Sequence, residues 1–156
     1  MKTFLLSISV LLADQITKLI TLRNLDPGYD GTISVIPGFF NLTLVFNQGA
    51  AWGILSGKIL LLAAISAAML VFLVWNGKEL TQNRLGIVAT GILAGGTAGN
   101  LIDRLLRGYV IDFLDFHWPW FGGIYHFPAF NVADSAICIG FFLLMLNSFL
   151  CSPTKR

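Results

Sequence analysis

Four aspartates lie in or beside stretches of sequence that are otherwise apolar. Asp14 is inside the first hydrophobic run, Asp134 is inside the fourth, and Asp103 and Asp112 lie on either side of the end of the third. Moving a carboxylate from water into a bilayer costs roughly 2 to 3 kcal/mol or more, so ionisable residues in membrane segments usually mark a functional site. The sequence therefore indicates carboxylate chemistry at a membrane.

Asp112 and Asp134 are the pair best suited to act together. Asp134 has no basic residue within one helical turn, and Asp112 lies among apolar residues after Arg107 and Gly108. If the segment carrying Asp112 folds back over the fourth run, the two carboxyl groups face each other and share a proton. One can then activate water while the other protonates a carbonyl or a leaving amine, as in aspartic proteolysis. Spacing alone does not select Asp112 over Asp115.

Polar side chains accompany two of these acids. Asn100, Asp103 and Arg104 lie at helical offsets of three and four, so they share one side of a helix at the end of the third run. Asn131 precedes Asp134 by three residues and shares its face in the same way. Amide and guanidinium groups can bind peptide carbonyls, whereas we interpret Asp103 as a structural anchor at the helix end.

Asp14 and Lys18 form a further polar pair. They lie four residues apart on one helical face and can neutralise each other, so we interpret them as structural. The run that contains them follows Lys2 and resembles a secretory signal peptide. Cleavage needs two small residues before the cut, however, and residues 11–14 supply only one. We therefore expect a retained helix.

Four apolar runs are long enough to position these residues in a bilayer. The chain has 156 residues, of which 56% are hydrophobic and 12% charged, a composition that excludes a soluble domain. A membrane-spanning helix takes about 20 apolar residues. The sequence predicts spans at residues 4–22, 59–75, 85–102 and 132–150 within one integral membrane domain, residues 1–156. The two longer loops are residues 23–58 and 103–131.

The orientation of the spans follows from the basic residues. An even number of spans puts both termini on one side, and the cytoplasmic side carries the excess of lysine and arginine. Cytoplasmic termini place five basic residues inside and four outside, which is a weak preference. The basic residues form no patch, so we expect no nucleic-acid partner.

The loop at residues 23–58 predicts surface structure. Apolar and polar residues alternate from Phe40 to Asn47, which is the period of a strand with one apolar face. We expect a small sheet at the membrane surface. Residues 50–55, with Trp52, are predicted to form a short amphipathic element on the lipid headgroups.

Other classes of protein fit less well. A transporter usually shows internal repeats and helices broken at the midplane, and no second half resembles the first. A metalloprotease would use His117 and His126 with Asp112 and Asp115, but no His-Glu-x-x-His helix is present. Both histidines lie among aromatic residues, where we interpret them as interfacial anchors.

Nucleophilic and metal chemistry also have weak signals. A serine-lysine hydrolase needs a serine beside a desolvated lysine, whereas Ser56 and Lys58 lie at a loop edge. Cys138 and Cys151 have no metal-ligand spacing, so we expect neither a metal nor another cofactor. Cys138 is interpreted as a packing residue.

Five ordered motifs closely resemble those of the bacterial lipoprotein signal peptidase family, also called signal peptidase II. The match extends from the first predicted span to the last. The motifs are Asp14-Gln15-Ile16-Thr17-Lys18, Asn47-Gln48-Gly49-Ala50-Ala51-Trp52-Gly53, Gly99-Asn100-Leu101-Ile102-Asp103-Arg104, Val110-Ile111-Asp112-Phe113 and Phe130-Asn131-Val132-Ala133-Asp134-Ser135. One departure is Trp52, where the family pattern has phenylalanine.

The resemblance implies a fold and a set of site residues. The family consists of four-helix inner-membrane aspartic endopeptidases with a small antiparallel sheet and a surface helix on the periplasmic side. By resemblance, Asp112 and Asp134 form the catalytic dyad, and Asp14 and Asp103 are structural. The substrate-binding positions match Asn47, Asn100, Arg104 and Asn131.

The resemblance also implies substrates and inhibitors. The family removes the signal peptide of a prolipoprotein just before a cysteine that carries diacylglycerol, and it needs no metal. Membrane lipids surround the enzyme, and cyclic peptide antibiotics occupy the dyad.

Overall fold

The computed structural model describes residues 1–50 and 54–151. Its helices are α1 (Lys2–Asn24), α2 (Ile59–Trp75), α3 (Gly77–Leu80), α4 (Arg84–Leu106) and α5 (Val132–Cys151), and its strands are β1 (Gly28–Ile36), β2 (Phe40–Asn47), β3 (Val110–Trp120) and β4 (Gly123–His126). Trp52 and its two neighbours, in the predicted surface element at 50–55, lie outside the described residues. Residues 54–57, which follow them, form a turn.

Each of the four apolar runs forms a helix. Three of them, Lys2–Asn24, Arg84–Leu106 and Val132–Leu150, are long and apolar enough to cross a membrane. The fourth, α2, has 17 residues, or about 25 Å at a rise of 1.5 Å per residue, which is the lower end of the spanning range. Large apolar side chains on the helix surfaces are exposed, among them Phe4, Leu60, Val74 and Phe149. In a bilayer these side chains contact lipid.

Helix α4 lies in the centre of the bundle and packs against α1, α2 and α5. Glycines allow this close packing. A Cβ atom at Gly95 would lie 2.5 Å from the carbonyl oxygen of Ser7 in α1, and one at Gly96 would lie 2.5 Å from that of Ala133 in α5. These two glycines therefore allow close backbone contact on two sides of α4.

The sheet has four antiparallel strands in the order β1-β2-β3-β4. Strand β2 matches the predicted strand at Phe40 to Asn47. Within the predicted loop at 103–131, α4 continues to Leu106 and the chain then forms β3 and β4. The fold is therefore all-α apart from a small antiparallel sheet, in agreement with the helices and the sheet that the sequence and the family resemblance predict.

Strand β3 connects the helices to the sheet. Gly108, with φ of 76°, makes the turn that leads from α4 into β3. The side chain of Ile111 packs with Leu25 and Leu44 in a small buried core. The amides of Phe113 and Leu114 both donate to the carbonyl of Phe130, at 3.0 and 2.8 Å. These bonds hold the start of α5 against β3.

Candidate active site

Asp112 and Asp134 both line one cavity of about 990 Å³. Its walls come from the end of β2, the residues after β2, the turn before α5 and the first two turns of α5. Apart from Arg104, His126 and the two aspartates, its lining is apolar or uncharged. A cavity of this size accepts a ligand of several residues.

Asp112 is held by two asparagine side chains. Its Oδ2 accepts a hydrogen bond from Asn47 Nδ2 at 2.9 Å, and its Oδ1 accepts one from Asn131 Nδ2 at 2.7 Å. Strand β3 directs Asp112 to the same face as Val110, which also lines the cavity. Only 2% of the residue is exposed. Strand geometry and two donors therefore fix this carboxylate.

Asp134 lies in the first turn of α5 and is fixed by reciprocal capping bonds. Its Oδ2 accepts from the backbone N–H of Asn131 at 3.2 Å, and its own backbone N–H donates to Asn131 Oδ1 at 2.9 Å. This is the arrangement of a capping box, in which the two residues satisfy each other's amides. Asn100 Nδ2 donates to the remaining oxygen, Oδ1, at 2.7 Å. Asn131 thus contacts both Asp112 and Asp134.

Burial changes the proton affinity of Asp112. Desolvation raises the pKa of Asp112, and the nearby charge of Asp134 adds to this effect. Together they bring the pKa to about 7. Hydrogen bonds from Asn47 and Asn131 and the charge of Lys18 act in the opposite direction and are smaller. Asp112 therefore exchanges a proton near neutral pH, which is the property that acid–base chemistry requires.

A buried lysine orients the amide that contacts Asp134. Lys18 Nζ lies 2.8 Å from Asp14 Oδ2, 2.8 Å from Asp103 Oδ2 and 2.9 Å from Asn100 Oδ1. An ammonium group only donates, so the oxygen of Asn100 faces Lys18 and its NH₂ group faces Asp134. Lys18, Asp14 and Asp103 are fully buried. The pairing of Asp14 with Lys18 that the spacing predicts is present.

Asp14 and Asp103 also bind backbone amides. Asp14 Oδ1 accepts from Ala133 N at 2.9 Å, which satisfies an amide at the start of α5. Asp103 forms an ion pair with Arg107, and its Oδ2 accepts from Ile111 N at 3.3 Å. The first contact holds α5 to α1, and the second holds β3 to α4. Both contacts position the strand and helix that carry the paired acids.

Arg104 projects from α4 to the cavity. One guanidinium nitrogen, Nη1, lies 3.4 Å from Ser66 Oγ and 3.5 Å from the carbonyl oxygen of Asn100. Its Nε is buried and has no hydrogen-bond partner within residues 1–50 and 54–151. Arg104 therefore offers donors to a ligand in the cavity.

Asp115 lies on the other face of β3 from Asp112. It is fully buried and contacts His126 Nδ1 at 3.2 Å and Thr43 Oγ1 at 3.4 Å. Asp115 does not line the cavity. Of these two aspartates only Asp112 lines the cavity with Asp134, because three residues along a strand reverse the side of the sheet.

Two features of the site differ from the sequence interpretation. Cys138 is exposed and lines the cavity one turn beyond Asp134, so it is not a packing residue. The sequence analysis missed Gln15, whose Nε2 donates to Asp14 Oδ2 at 3.1 Å and Asp103 Oδ1 at 3.2 Å. Its position beside Asp14 in a polar motif was the available signal.

Comparison with known proteins identifies relatives along almost the whole chain. The sequence model of the family described as "Signal peptidase (SPase) II" matches residues 6–150. The lipoprotein signal peptidase of Syntrophotalea carbinolica is 41% identical over 146 residues, covering 91% of this chain and 87% of that protein. The lipoprotein signal peptidase of Vibrio cholerae serotype O1 is 38% identical over 151 residues, covering 92% and 84%.

Solved structures agree with this relationship. A bacterial membrane enzyme determined by the in meso method at 2.3 Å resolution superposes with a TM-score of 0.83 and 39% identity, covering 99% of this chain and 93% of that one. A second, determined by the same method at 1.9 Å resolution, gives a TM-score of 0.80 and 40% identity, covering 97% and 94%. The similarity therefore includes the sheet as well as the helices.

Proposed function

The chain belongs to the signal peptidase II family, and on this premise we propose that it is an aspartic endopeptidase whose catalytic groups are Asp112 and Asp134. The observation that carries the proposal is the position of Asn131. This one residue donates to Asp112 Oδ1 at 2.7 Å and forms reciprocal bonds with Asp134, and both of these acids line one cavity. Two acids that are fixed by one shared residue and line one cavity support the proposal of a dyad.

The proposed substrate is a prolipoprotein whose cysteine carries diacylglycerol. Relatives from Vibrio cholerae and Syntrophotalea carbinolica are named lipoprotein signal peptidases. From the family resemblance we propose that the chain cleaves the peptide bond just before the modified cysteine. The apolar residues around the cavity suit acyl chains and the apolar part of a signal peptide. Cyclic peptide antibiotics that fill this cavity are proposed as inhibitors.

In the proposed reaction the two acids share one resting proton, and Asp112 carries it as catalysis begins. Burial and the charge of Asp134 raise the pKa of Asp112 to about 7. Asp134 accepts a proton from water as the water oxygen bonds to the scissile carbonyl carbon, and Asp112 donates its proton to the carbonyl oxygen. The tetrahedral diol then collapses. The C–N bond breaks, the leaving nitrogen takes the proton from Asp134, and a diol hydroxyl returns a proton to Asp112.

Asn47, Asn100, Arg104 and Asn131 are the proposed substrate-binding residues. Asn47 and Arg104 line the cavity, where donors favour binding because peptide carbonyls without partners are costly in a bilayer. Asn100 and Asn131 are buried and contact the two acids. Arg104 is the best placed of the four because it lines the cavity and its Nη1 makes only long contacts among the described residues, at 3.4 and 3.5 Å. Asn47 and Asn131 donate to Asp112, so they hold the acid as well.

The proposed membrane arrangement has four spans, with α2 as the short one. The termini are cytoplasmic, and the sheet and cavity lie on the periplasmic side of the inner membrane. The polar residues of the site are at the sheet end of α1, α4 and α5, which fits an active site at one membrane boundary. The scissile bond of a lipid-anchored substrate is expected at this depth, and water reaches it from the periplasm.

The experiment that tests the proposal replaces each acid by asparagine in purified enzyme and follows cleavage of a diacylglyceryl prolipoprotein. Asp112→Asn and Asp134→Asn are expected to lose at least 10²-fold in kcat, within the roughly 10² to 10⁴ range for loss of an acid or base. Asp115→Asn is the matched control, because Asp115 is equally buried and is on the same strand. Turnover by the Asp134 variant near the wild-type rate would refute the dyad.

A proton-coupled transporter is the other function to which buried acids point. An uncoupler separates the two in sealed membranes, because it stops transport that depends on a proton gradient and leaves hydrolysis in the same membranes unaffected. We expect undiminished cleavage with the uncoupler present.

A further inference from the structure

A second cluster of ionisable side chains lies on the sheet, apart from the dyad. Asp115 and His117 are two residues apart on β3, on the opposite face from Asp112, and His126 pairs with His117 across the β3–β4 register. One potential metal-ligand atom from each of the three side chains lies within 4.8 Å of the others. The two imidazole rings stack with their centroids 5.1 Å apart and 19° between planes.

The burial of this cluster points to a ligand. His117 is 7% exposed, and its Nδ1 is buried with no hydrogen-bond partner among the described residues. Asp115 is fully buried, and its contacts with His126 and Thr43 are long, at 3.2 and 3.4 Å. Among the described residues, the imidazole nitrogen has no partner and the carboxylate has only long contacts. A cation bound between these two buried groups would give each of them a strong partner.

We propose that Asp115, His117 and His126 bind one divalent transition-metal ion of the Zn²⁺ class. Two imidazoles and one carboxylate suit zinc and disfavour Mg²⁺ and Ca²⁺, which prefer oxygen ligands alone. Zn–N and Zn–O bonds of about 2.0 to 2.2 Å place tetrahedral ligand atoms roughly 3.3 Å apart. The three ligand atoms lie within 4.8 Å of one another, so metal binding requires them to move closer by about 1.5 Å at most. The side chain of His126 is exposed and can make this movement.

The site adjoins the cavity of the proposed peptidase, because His126 also lines that cavity, but its three side chains take no part in the proposed reaction. The side chains of Asp115 and Asp112 project to opposite faces of β3, and the proposed mechanism routes no proton through Asp115. A metal bound here joins β3 to β4 at two histidines that already face each other. Its role is therefore to fix the β-hairpin from which the chain continues into the cavity wall at residues 127–130.

The test is a zinc titration of the full chain in detergent micelles, after stripping with a chelator and with no histidine tag. The chain has only two histidines, so any histidine-dependent binding must come from this cluster. We expect one Zn²⁺ per chain and a rise in the thermal unfolding midpoint. Cobalt should give visible ligand-field bands without a thiolate charge-transfer band.

Variants connect the binding to the cluster. His117→Gln and His126→Gln are each expected to weaken zinc binding at least tenfold. Because His126 is exposed, the substitution at this position is the less disturbing of the two to folding. Asp30→Asn, at an exposed acid, and Cys138→Ser should bind zinc as the wild type does. The proposal is overturned if no zinc binds up to millimolar concentration, which would leave Asp115 and His126 as a simple ion pair. Zinc binding by both histidine variants with the affinity of the wild type would also overturn the proposal.

Discussion

The buried carboxyl group of Asp112 makes the stability of the folded protein depend on pH in a predictable direction. Its pKa is about 7 in the folded state and 3.8 in its ordinary environment. At a pH between these two pKa values, the carboxyl group has lost its proton in the unfolded chain and keeps it in the folded chain. A rise in pH through this range therefore favours unfolding. The stabilising effect of the neutral form is complete below about pH 4 and is lost as the pH rises through 7.

The size of this effect follows from the shift. One pKa unit corresponds to 1.36 kcal/mol, so the difference between 3.8 and about 7 costs the folded state about 4 kcal/mol by pH 8. The residue is only 2% exposed, so solvent screening reduces this figure little. Asp112→Asn cannot ionise and should lack this part of the pH dependence.

The assay is equilibrium unfolding in detergent micelles at pH 5, 6, 7 and 8 for the wild type, Asp112→Asn and Asp30→Asn. Other groups titrate in all three proteins, so the informative quantity is the difference between their pH profiles. The wild type should lose about 2 to 3 kcal/mol relative to Asp112→Asn between pH 5 and pH 8. Asp30→Asn changes an exposed acid and should follow the wild type. Parallel profiles for the wild type and Asp112→Asn would refute the assignment of a raised pKa to Asp112.

The other predictions concern the supports of the site. Lys18→Met leaves two buried carboxylates without their shared cation and should lower the free energy of unfolding by about 3 to 5 kcal/mol, whereas Lys78→Gln, at an exposed lysine, should change it by less than about 0.5 kcal/mol. Gly96→Ala places a Cβ atom 2.5 Å from a carbonyl oxygen of α5 and should cost about 1 to 3 kcal/mol, but Gly77→Ala, which meets nothing within 4 Å, should be neutral or stabilising in the same unfolding assay. Asn131→Ala removes side-chain hydrogen bonds that hold Asp112 and Asp134 in place, so kcat in the prolipoprotein cleavage assay should fall at least tenfold. A change in KM alone would contradict this.

Local patterns in the sequence were sufficient to predict the helices. Length and hydrophobicity located all four long helices, and α2 begins and ends at the predicted residues Ile59 and Trp75. The spacing of Asp14 and Lys18 predicted their ion pair, because residues four apart meet on any helix. Such features depend only on neighbours within one or two turns.

Strand β3 was not predicted, for a physical reason. Its first residues are buried on both faces, so apolar residues occur at odd and even positions and the alternation of a half-exposed strand is hidden. Without the strand, Asp112 and Asp115 were equivalent by spacing. The strand separates them, because it directs Asp112 to the cavity and Asp115 to the histidines.

Contacts between distant segments were also beyond local patterns. Lys18 contacts Asn100, which is 82 residues away, and Asp14 contacts the amide of Ala133, 119 residues away. No periodicity in a single sequence reports such pairs. The family resemblance supplied roles for these residues, but the reason that Asn100 presents its NH₂ group to Asp134 is visible only in the assembled bundle.

The most direct test of the dyad compares kcat for Asp112→Asn, Asp134→Asn and the double variant on one diacylglyceryl prolipoprotein. Groups that act as a unit are not additive, so removing the second should cost little once the first is gone. We predict that all three variants fall to the same residual rate. A double variant slower than either single variant by the product of their separate losses would contradict a shared catalytic role for Asp112 and Asp134.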